Sequence, residues 1–298
     1  MKVLFINHVD YANLCYNLSK SLRSIGVQSE SLTLKPHQFG YTEQSTRVSQ
    51  SQMMEAIKNA ECVIIGHSFA KFVDWIPKSK RVFVIHTGTR YRQDSENLNA
   101  IFDKVVERTF TDSPEFMELG AKLVTYVATA IDTEKIQQKK NTGWRIKFAH
   151  YPSNPEVKGT SKIVRMMSQL DADLETSNKR LHHEENLRRM SKCDVYIEMF
   201  ATEQNGKIYG NAGVTAWEAA AMGKPVITNF LHDYVYRKAY GELPFFIANS
   251  EIEFNLKVEN LNALDRVDYK LLSDFVRNTI VERHSLEATG RYLLQYLQ

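Results

Sequence analysis

Short apolar runs alternate with segments of helical periodicity along the first half of the chain. The runs that predict buried strands are residues 3–7, 27–34, 62–66, 82–86, 109–111 and 123–127. Apolar residues three or four positions apart predict amphipathic helices over residues 12–25 and 52–60, the first of which ends before Gly26. Because short buried strands joined by helices form a parallel sheet with both faces covered, this half predicts an α/β domain.

The same alternation begins again after a polar segment, residues 132–143, which we take as the domain boundary. Strands are predicted at residues 145–150, near Asp173, at 194–200 and at 225–229. Helices are predicted at residues 161–170, 181–192, 214–222 and 269–297. The chain therefore predicts two α/β halves that share a cleft, with ligands at the carboxyl ends of the strands.

Composition and charge exclude some classes of function. The chain has 298 residues, of which 43% are hydrophobic and 24% charged, as in ordinary folded proteins. The 38 Lys and Arg residues against 35 Asp and Glu residues give a formal net charge of +3, so nucleic acid is not an expected partner. The first apolar run is too short for a signal peptide, and no stretch approaches the roughly 20 apolar residues of a membrane helix, so we expect a cytoplasmic protein.

Several common sites are excluded by spacing. The glycines form no GxG pair, which the dinucleotide-binding fingerprint requires, and the two Gly-Lys pairs precede Ile208 and Pro225 rather than the Ser or Thr of a P-loop. His182 and His183 are adjacent, and no HExxH motif is present, so we expect no cofactor and no tightly held metal. The cysteines, Cys15, Cys62 and Cys193, lack CxxC spacing and are expected to be reduced structural thiols, with a catalytic role as the alternative.

The segment over residues 148–160 is the first candidate for binding chemistry. It leads from a predicted strand end through a turn into a helix that Thr160 or Ser161 can cap. The backbone N–H groups at such a helix start, together with Lys158, favour a phosphate group. The alternative is an ordinary capped loop with a solvated lysine.

The segment over residues 210–227 is the second candidate. Gly213 opens a predicted helix and lets a ligand approach the backbone closely. Glu218 lies about one and a half turns further along, where its carboxylate can accept hydrogen bonds from two hydroxyl groups of a ribose. The alternative is a glutamate on the solvent face of an alanine-rich core helix.

These two segments together resemble the donor-binding half of nucleotide-sugar glycosyltransferases with the GT-B fold, above all the retaining enzymes grouped with family four. Other segments are similar to the family in the same order along the chain: residues 82–88, 110–114, 130–132, 181–195 and 281–287. The resemblance implies two Rossmann-like parallel-sheet domains that face a cleft, an acceptor-side domain over residues 1–130 and a nucleotide-sugar domain over residues 131–280. It also implies a C-terminal helix, residues 281–298, that packs back on the first domain.

The resemblance implies a role for each matching position. His86 would face the transferred sugar and would act in catalysis together with Lys158, which binds the diphosphate with the Gly159 turn. Glu218 would hold the donor ribose. The other donor-binding positions would be His150, Ser153, Asn154, Gly210, Gly213, Val214 and Thr215. The acceptor side would be lined by His8, Asp10, Tyr11, Asn13 and Arg90. Lys158 and backbone N–H groups would stabilise the leaving diphosphate, so no metal is implied.

Two positions depart from the family pattern. The first Glu of the usual Glu-x7-Glu pair is Gly210, and the usual Arg five residues before Lys158 is Ser153. The side chains that could replace the missing charges in space are Glu198, Glu203, Lys207 and Arg165. A structural alternative stays open for both histidines. For His150 it is a histidine satisfied by its own loop backbone, and for His86 it is a histidine that caps a buried strand.

We therefore expect a glycosyltransferase that moves a hexose from a nucleotide diphosphate sugar to a glycan, lipid-linked or small acceptor, with retention and without metal. The alternatives are a catalytically weak nucleotide- or glycan-binding subunit of the same fold and a sugar-nucleotide epimerase. The expected partners are the donor and the acceptor. The resemblance leaves open a homodimer and a peripheral contact with the inner face of a membrane.

Overall fold

Strands and helices alternate in the computed structural model, which describes residues 1–139, 143, 145–201, 203–204 and 207–298. The strands are β1 (Lys2–Val9), β2 (Gln28–Lys35), β3 (Thr46–Arg47), β4 (Cys62–Ile65), β5 (Arg81–His86), β6 (Arg108–Thr111), β7 (Val124–Tyr126), β8 (Lys147–His150), β9 (Asp173–Thr176), β10 (Val195–Met199), β11 (Glu203–Gln204), β12 (Lys207–Ile208), β13 (Val226–Thr228) and β14 (Phe245–Ile247). The helices are α1 (Leu14–Ser24), α2 (Gln50–Asn59), α3 (Gly88–Gln93), α4 (Ser95–Phe102), α5 (Pro155–Lys158), α6 (Thr160–Met167), α7 (His183–Met190), α8 (Val214–Ala221), α9 (Asp233–Tyr240), α10 (Glu251–Asn262), α11 (Arg266–His284) and α12 (Leu286–Leu294). Short 3-10 helices cover Tyr11–Asn13, Ala70–Trp75 and Pro114–Glu118.

The chain divides into two compact units. The first consists of Met1–Asp132 and His284–Gln298, and the second of Thr133–Arg283. The first unit contains a parallel sheet with the strand order β3-β2-β1-β4-β5-β6-β7, and the second contains a parallel sheet with the order β14-β13-β10-β8-β9. The predicted α/β class with two parallel sheets is confirmed. Within the described residues, no helix is both long enough and apolar enough to cross a membrane.

Both faces of the first sheet are covered by apolar side chains. In β1, Val3 and Phe5 point to one face and pack into a cluster that includes Leu18 of α1. Leu4 and Ile6 point to the other face and belong to a cluster with residues of α2. All of these side chains are buried. Side chains alternate between the faces of a strand, so a strand covered on both sides needs a continuous apolar run, which is why β1 was predictable.

The last helix, α12, belongs to the first unit and packs on α1. Leu293 and Leu297 join the apolar cluster that contains Val3. Gly290 allows the close approach, since a methyl group built there would lie 2.2 Å from the carbonyl oxygen of Ser21 in α1. A C-terminal helix does pack on the first unit, as the resemblance implied, but it begins at Leu286 rather than at residue 281.

The core of the second unit lies between its sheet and helices α6 and α10. The side chains that meet there include Phe148 of β8, Ile197 of β10, Ile227 of β13, Ile163 of α6 and Phe254 of α10. All of them are excluded from solvent. This packing fixes β8 and β10 side by side, so the loops that follow these two strands leave the sheet next to each other.

Two predicted helices differ in the structure: one begins later than predicted, and the other is interrupted. The helix predicted from residue 12 begins only after Ala12 and Asn13, whose φ angles of 55° and 58° are left-handed. The helix predicted over residues 269–297 is two helices, α11 and α12, interrupted at Ser285. The Ser285 hydroxyl accepts the N–H of Ala288 at 3.3 Å and caps α12. Serine is compatible with a helix interior as well as with a cap, so apolar periodicity alone did not reveal this break.

Gly290→Ala is expected to lower the free energy of unfolding by about 2 kcal/mol, because an added methyl group would overpack the contact between α12 and α1. Chemical denaturation measures this change. Glu287→Ala in the same helix is the matched control. It removes an exposed ion pair with Arg291 and one carboxylate from the first turn of α12, and it should change the stability by less than about 1 kcal/mol. Equal effects of the two substitutions would contradict the close packing of α12 on α1.

Candidate functional site

The second sheet changes its winding direction between β8 and β10, which are neighbours in the sheet. From β8 the chain moves outward to β9, and from β10 it moves outward in the opposite direction to β13 and β14. Loops that leave two such strands diverge and open a crevice at the carboxyl ends, where sheets of this type bind ligands. The candidate segment over residues 148–160 contains the end of β8 and the loop that follows it. The segment over residues 210–227 begins near the end of the loop that follows β10. Strand order therefore brings the two candidate segments together.

Lys158 is held in this crevice by the turn that ends α5. Asn154 caps the helix by accepting the N–H of Val157 at 3.4 Å, and Gly159 ends it with a φ of +68°. A methyl group at Gly159 would lie 2.0 Å from the carbonyl oxygen of Phe200, so the glycine lets the two loops touch through their backbones. The Phe200 N–H donates to the Lys158 carbonyl at 3.0 Å. The loop after β8 is thereby fastened to the chain that leaves β10.

Glu198 of β10 forms an ion pair with the Lys158 ammonium group. Lys158 Nζ donates to Glu198 Oε1, and the Gly213 N–H donates to the same oxygen at 3.1 Å. Thr215 Oγ1 donates to Glu198 Oε2 at 2.7 Å. The Glu198 side chain is only 1% exposed. One buried carboxylate is thus bound by an ammonium group, by the backbone at the start of α8 and by a hydroxyl group.

Lys158 and Glu198 each keep the other charged. Burial opposes the charge of Lys158, but the Glu198 carboxylate outweighs burial and raises the pKa of the lysine. Burial also opposes the charge of Glu198, but Lys158 and the hydrogen bond from Thr215 outweigh it and lower the pKa of the carboxyl group. Removing either partner would leave a buried unpaired charge, which typically costs about 3–5 kcal/mol.

Glu218 lies in the interior of α8 and is paired with a histidine. The side chain is 6% exposed, and His183 Nε2 lies 2.5 Å from Glu218 Oε1. Burial would lower the pKa of His183, but the hydrogen bond and the charge of Glu218 outweigh burial and raise it. The alternative of a glutamate on the solvent face of α8 is therefore wrong. The pair joins α7 to α8 next to the loop that ends at Gly213.

Packing explains the glycine at position 210. A methyl group built on Gly210 would lie 2.6 Å from Asn229 Nδ2 and 2.9 Å from Leu231 Cγ. The buried Asn229 amide donates to the carbonyl oxygens of Ala201 and Tyr209, at 2.7 Å and 3.2 Å. Asn229 Oδ1 accepts the N–H of Ala201 at 3.1 Å. Asn229 thus fastens both ends of the loop after β10 and fills the space that a side chain at position 210 would need.

His150 is buried, and both of its ring nitrogens are engaged. Nδ1 donates to the carbonyl oxygen of Ile197 at 2.8 Å, and Nε2 accepts the Thr160 hydroxyl at 2.9 Å. Burial lowers the pKa of His150, which keeps the ring neutral. The backbone of the neighbouring strand β10 and the Thr160 hydroxyl therefore satisfy His150, rather than its own loop backbone as the structural alternative held.

The remaining donor positions and the charged substitutes are scattered. Ser153 is exposed, and Val214 at the start of α8 is half-buried. Arg165 pairs with Glu251 at the surface at 2.5 Å. Glu203 is exposed in β11, and the Lys207 side chain lies outside the described part of the structure. Of the charges proposed to replace the missing ones, Glu198 is the one that the described residues show in contact with Lys158.

The first unit has its own change of winding direction, between β1 and β4. Asp10 follows β1, and its carboxylate accepts the N–H groups of Cys15 and Tyr16, each at 2.9 Å, at the start of α1. Ser45 Oγ donates to Asp10 Oδ2 at 2.7 Å, and His67 Nε2, after β4, lies 3.2 Å from Oδ1. Asp10 is 3% exposed. The protein itself uses the Asp10 oxygens, so the structure does not offer them to an acceptor.

The other acceptor-side positions differ in their exposure. Asn13 is buried and donates to the carbonyl oxygen of Glu43 at 2.8 Å. Tyr11 is 57% exposed. The His8 ring stacks on Phe69 at a centroid distance of 4.6 Å, and the exposed Arg90 guanidinium lies 5.8 Å from the centroid of the Phe69 ring. Tyr11 and Arg90 are therefore the exposed residues of this group, whereas His8 is half-buried.

His86 lies inside the first unit rather than at its surface. The residue is 0% exposed, its ring stacks on Tyr91 at a centroid distance of 3.9 Å, and its Nδ1 lies 2.9 Å from Ser68 Oγ. Burial lowers the pKa of His86 to about 3. A neutral ring enclosed by Tyr91 and Ser68 cannot touch a sugar in this structure, which differs from the sugar-facing position that the resemblance implies. Nε2 of His86 is buried without a hydrogen-bond partner among the described residues.

Asp10, Cys15 and His67 each place one potential metal-ligand atom within 4.8 Å of the others. Burial raises the pKa of Cys15 well above its ordinary value, which favours the thiol over the thiolate that a metal binds. The Asp10 carboxylate is already bound by N–H and hydroxyl groups. The arrangement of Asp10, Cys15 and His67 therefore fits a structural hydrogen-bond network better than a metal site. All the cysteines of the chain are buried and free of disulfides.

Sequence reasoning did not assign His67 or the pairing of His183 with Glu218, and it treated Glu198 only as one of several substitutes. A signal for Glu198 was present, because it interrupts an otherwise apolar strand, where a carboxylate needs a partner. A signal for His67 was its place directly after a buried strand that ends in Gly66. Neither signal names the partner, since that depends on strand order.

The His183–Glu218 pair predicts a pH dependence of stability. The pKa of His183 in the folded protein is raised above its ordinary value of 6.5, so the pair stabilises the fold fully below about pH 6.5. This contribution is lost as the pH rises from there through the raised pKa. We expect the decline over this range to be smaller in His183→Gln than in the native protein, measured as the free energy of unfolding against pH. Identical profiles would contradict the charged pair.

Gly210→Glu, which restores the carboxylate of the family pattern, is expected to destabilise the protein, because its Cβ would collide with Asn229 and Leu231. We expect a loss of about 1–3 kcal/mol in the free energy of unfolding, as for other overpacked sites. Gly143→Ala is the control, since Gly143 is exposed and no atom lies closer than 3.9 Å to the added methyl group. It should change the stability by less than about 0.5 kcal/mol. A fully stable Gly210→Glu protein would show that the space is available.

No protein-family model matches the chain, and no curated protein sequence matches it. Solved structures do match in fold. HepE from Anabaena matches in a complex with UDP and glucose (TM-score 0.66, 10% identity) and in a complex with UDP-glucose (TM-score 0.67, 9% identity), over 100% of this chain and 99% of HepE. Sucrose-phosphate synthase from Thermosynechococcus elongatus matches with a TM-score of 0.65 and 12% identity, over 100% of this chain and 98% of the synthase.

A further match is AviGT4, a glycosyltransferase involved in avilamycin A biosynthesis, with a TM-score of 0.61 and 13% identity over 100% of this chain and 97% of AviGT4. At these identities the likeness concerns the fold. The chain has the GT-B fold of these proteins, as the resemblance of its sequence segments predicted.

Proposed function

We propose that this chain is a glycosyltransferase that binds a nucleotide diphosphate sugar at the carboxyl ends of β8 and β10 and transfers the sugar to an acceptor. The fold supports this class of activity. HepE, which has the same fold, is solved with UDP and glucose and with UDP-glucose, and AviGT4 is a glycosyltransferase. Function is not determined by fold alone, so the proposal depends on the site.

The convergence of Lys158 and the start of α8 on one oxygen atom carries the proposal. Lys158 Nζ and the Gly213 N–H both bind Glu198 Oε1, and the Thr215 hydroxyl binds the other carboxylate oxygen. An ammonium group, a backbone N–H at a helix start and a hydroxyl group are typical donors to a phosphate. The position of Glu198 Oε1 marks a place where this chain binds a negatively charged oxygen.

In the proposed reaction, cleavage of the bond between sugar and diphosphate leaves negative charge on the diphosphate. Lys158 and the N–H of Gly213 would stabilise that charge as it develops. Glu218, held in place by His183, would accept hydrogen bonds from the ribose hydroxyls. Since these groups supply positive charge and orientation themselves, we propose a reaction without a resident metal.

The finer features of the proposal come from the resemblance. They are a hexose as the transferred group, retention at the anomeric carbon, and a glycan, lipid-linked or small acceptor. We propose that the acceptor contacts the exposed Tyr11 and Arg90 of the first unit. His86 is not part of this proposal, because it lies inside the first unit and is stacked on Tyr91. Asp10 and Asn13 are not part of it either, because the Asp10 oxygens and the Asn13 amide bind groups of the first unit itself.

A second candidate is a nucleotide-binding subunit of the same fold with little catalytic activity. The observation that favours it is position 210, where Asn229 and Leu231 leave no room for the carboxylate of the family pattern. Nucleotide binding without formation of a glycoside or release of free sugar would favour this candidate over the enzyme.

Lys158→Gln is expected to weaken binding of the productive donor by about 10–100-fold, because a hydrogen bond to a charged group contributes roughly 1.5–3 kcal/mol. Calorimetry with a panel of UDP-, GDP- and ADP-sugars identifies the donor and measures the change. Lys162→Gln is the matched control, since it removes the same charge from an exposed position in α6. It should change the affinity by less than about threefold.

If the native protein bound none of these sugar nucleotides, the proposed function would fail. If Lys158→Gln and Lys162→Gln weakened binding equally, the nucleotide would bind elsewhere on the chain. Circular dichroism of both variants keeps a loss of folding separate from a loss of affinity.

A further inference from the structure

The donors that are proposed to bind the diphosphate are already occupied by a side chain of the same chain. The Glu198 carboxylate accepts hydrogen bonds from the Lys158 ammonium, the Gly213 N–H and the Thr215 hydroxyl. Among the described residues, Glu198 is the one carboxylate that pairs with Lys158. A phosphate oxygen that bound these donors would have to take the place of a Glu198 oxygen.

We infer that Glu198 is an internal anion that occupies the phosphate position of the site and must leave it before the donor diphosphate binds. The inference rests on the proposed function and adds to it a step that precedes binding. Glu198 would then set the affinity for the donor, although it does not touch the donor in the bound state.

The space at the start of α8 supports this exchange. A methyl group built on Gly213 would lie 2.5 Å from Glu198 Oε1 and 2.9 Å from Lys158 Nζ. The ion pair therefore lies directly against the Gly213 backbone. A phosphate cannot reach this N–H while both side chains stay where they are.

The balance of charge supports the exchange as well. Glu198 neutralises the positive charge of Lys158. While the two side chains are paired, the pair has no net charge to attract a diphosphate. A diphosphate added beside Glu198 would place like charges together in a buried environment, where screening by water is weak. Once Glu198 rotates away, Lys158 faces the diphosphate alone.

Glu198 also has a role while the site is empty. It compensates the buried charge of Lys158 and binds the first turn of α8, so the donors for the phosphate are held in place before the ligand arrives. Gly213 makes this arrangement compact, since any side chain there would separate Lys158 from Glu198. The cost of the arrangement is competition between Glu198 and the ligand.

Glu198→Gln tests the inference, because glutamine keeps the shape and an oxygen acceptor but removes the negative charge. We expect the affinity for UDP and for inorganic pyrophosphate to rise by about tenfold or more, measured by calorimetry. Glu156→Gln is the matched control: it removes an exposed carboxylate two positions from Lys158 and should leave the affinity within about threefold of the native value. Denaturation curves report whether each variant is folded.

Glu198→Asp is the second variant, for the case that Glu198→Gln does not fold. It keeps the charge but shortens the side chain by one methylene, so the carboxylate can no longer reach all its donors and competes less well. We expect a smaller gain in pyrophosphate affinity, in the same direction. If the folded variants bound UDP and pyrophosphate no better than the native protein, the inference would be wrong.

The same measurements separate this inference from the proposed function. Native binding of a sugar nucleotide that Lys158→Gln weakens, with no gain in the Glu198 variants, overturns the inference and leaves the proposed function standing. No binding of UDP, pyrophosphate or any sugar nucleotide to the native protein or the variants overturns both. A gain in Glu198→Gln that Glu156→Gln matches would show a general effect of charge and also overturns the inference.

Discussion

The buried ion pair of Lys158 with Glu198 is the interaction on which the candidate site depends. A buried charge is tolerated only with a partner and with hydrogen bonds, and here the partner comes from the neighbouring strand. The glycines around the pair serve this contact: Gly159 lets the two loops touch, and Gly213 leaves room for the pair. Asn229 then fixes both ends of the loop after β10.

The first unit also has paired polar side chains at the place where its sheet changes winding direction. Asp10 and His67 follow β1 and β4, the two strands at which that sheet changes direction, and they meet across the loops. His67, like Asn13 near Asp10, has a left-handed φ. Strained backbone of this kind persists only where surrounding contacts hold it, and the Asp10 network supplies them. In both units, polar side chains at the change of direction bind one another.

This internal pairing separates the residues that can meet a ligand from those that cannot. His86, His150 and Asp10 have the residue types of a catalytic site, yet each is buried. Neighbours engage both ring nitrogens of His150, both carboxylate oxygens of Asp10 and Nδ1 of His86. Lys158 and Glu218 are also paired, but they lie at the crevice between diverging loops. The type of a residue alone therefore does not identify a functional position, since His86, His150 and Asp10 also lie at the carboxyl ends of strands.

Much of the fold was predictable because the first sheet is covered on both faces, so that strands such as β1 and β4 are continuous apolar runs. Gly213, Lys158 and Glu218 could also be selected from sequence, since a helix start and a basic residue near it have a recognisable pattern. The pairing of Lys158 with Glu198, 40 positions away, could not be selected, because it depends on β8 and β10 being neighbours. Likewise, the glycine at position 210 has the appearance of a lost carboxylate until Asn229 is placed beside it.

A structure determined with UDP bound tests the central claim most directly. The account predicts the diphosphate within hydrogen-bond distance of Lys158 Nζ and the Gly213 N–H, the ribose against Glu218, and the Glu198 carboxylate turned away from Lys158. A nucleotide bound away from the carboxyl ends of β8 and β10, with the Lys158–Glu198 pair intact, would contradict it.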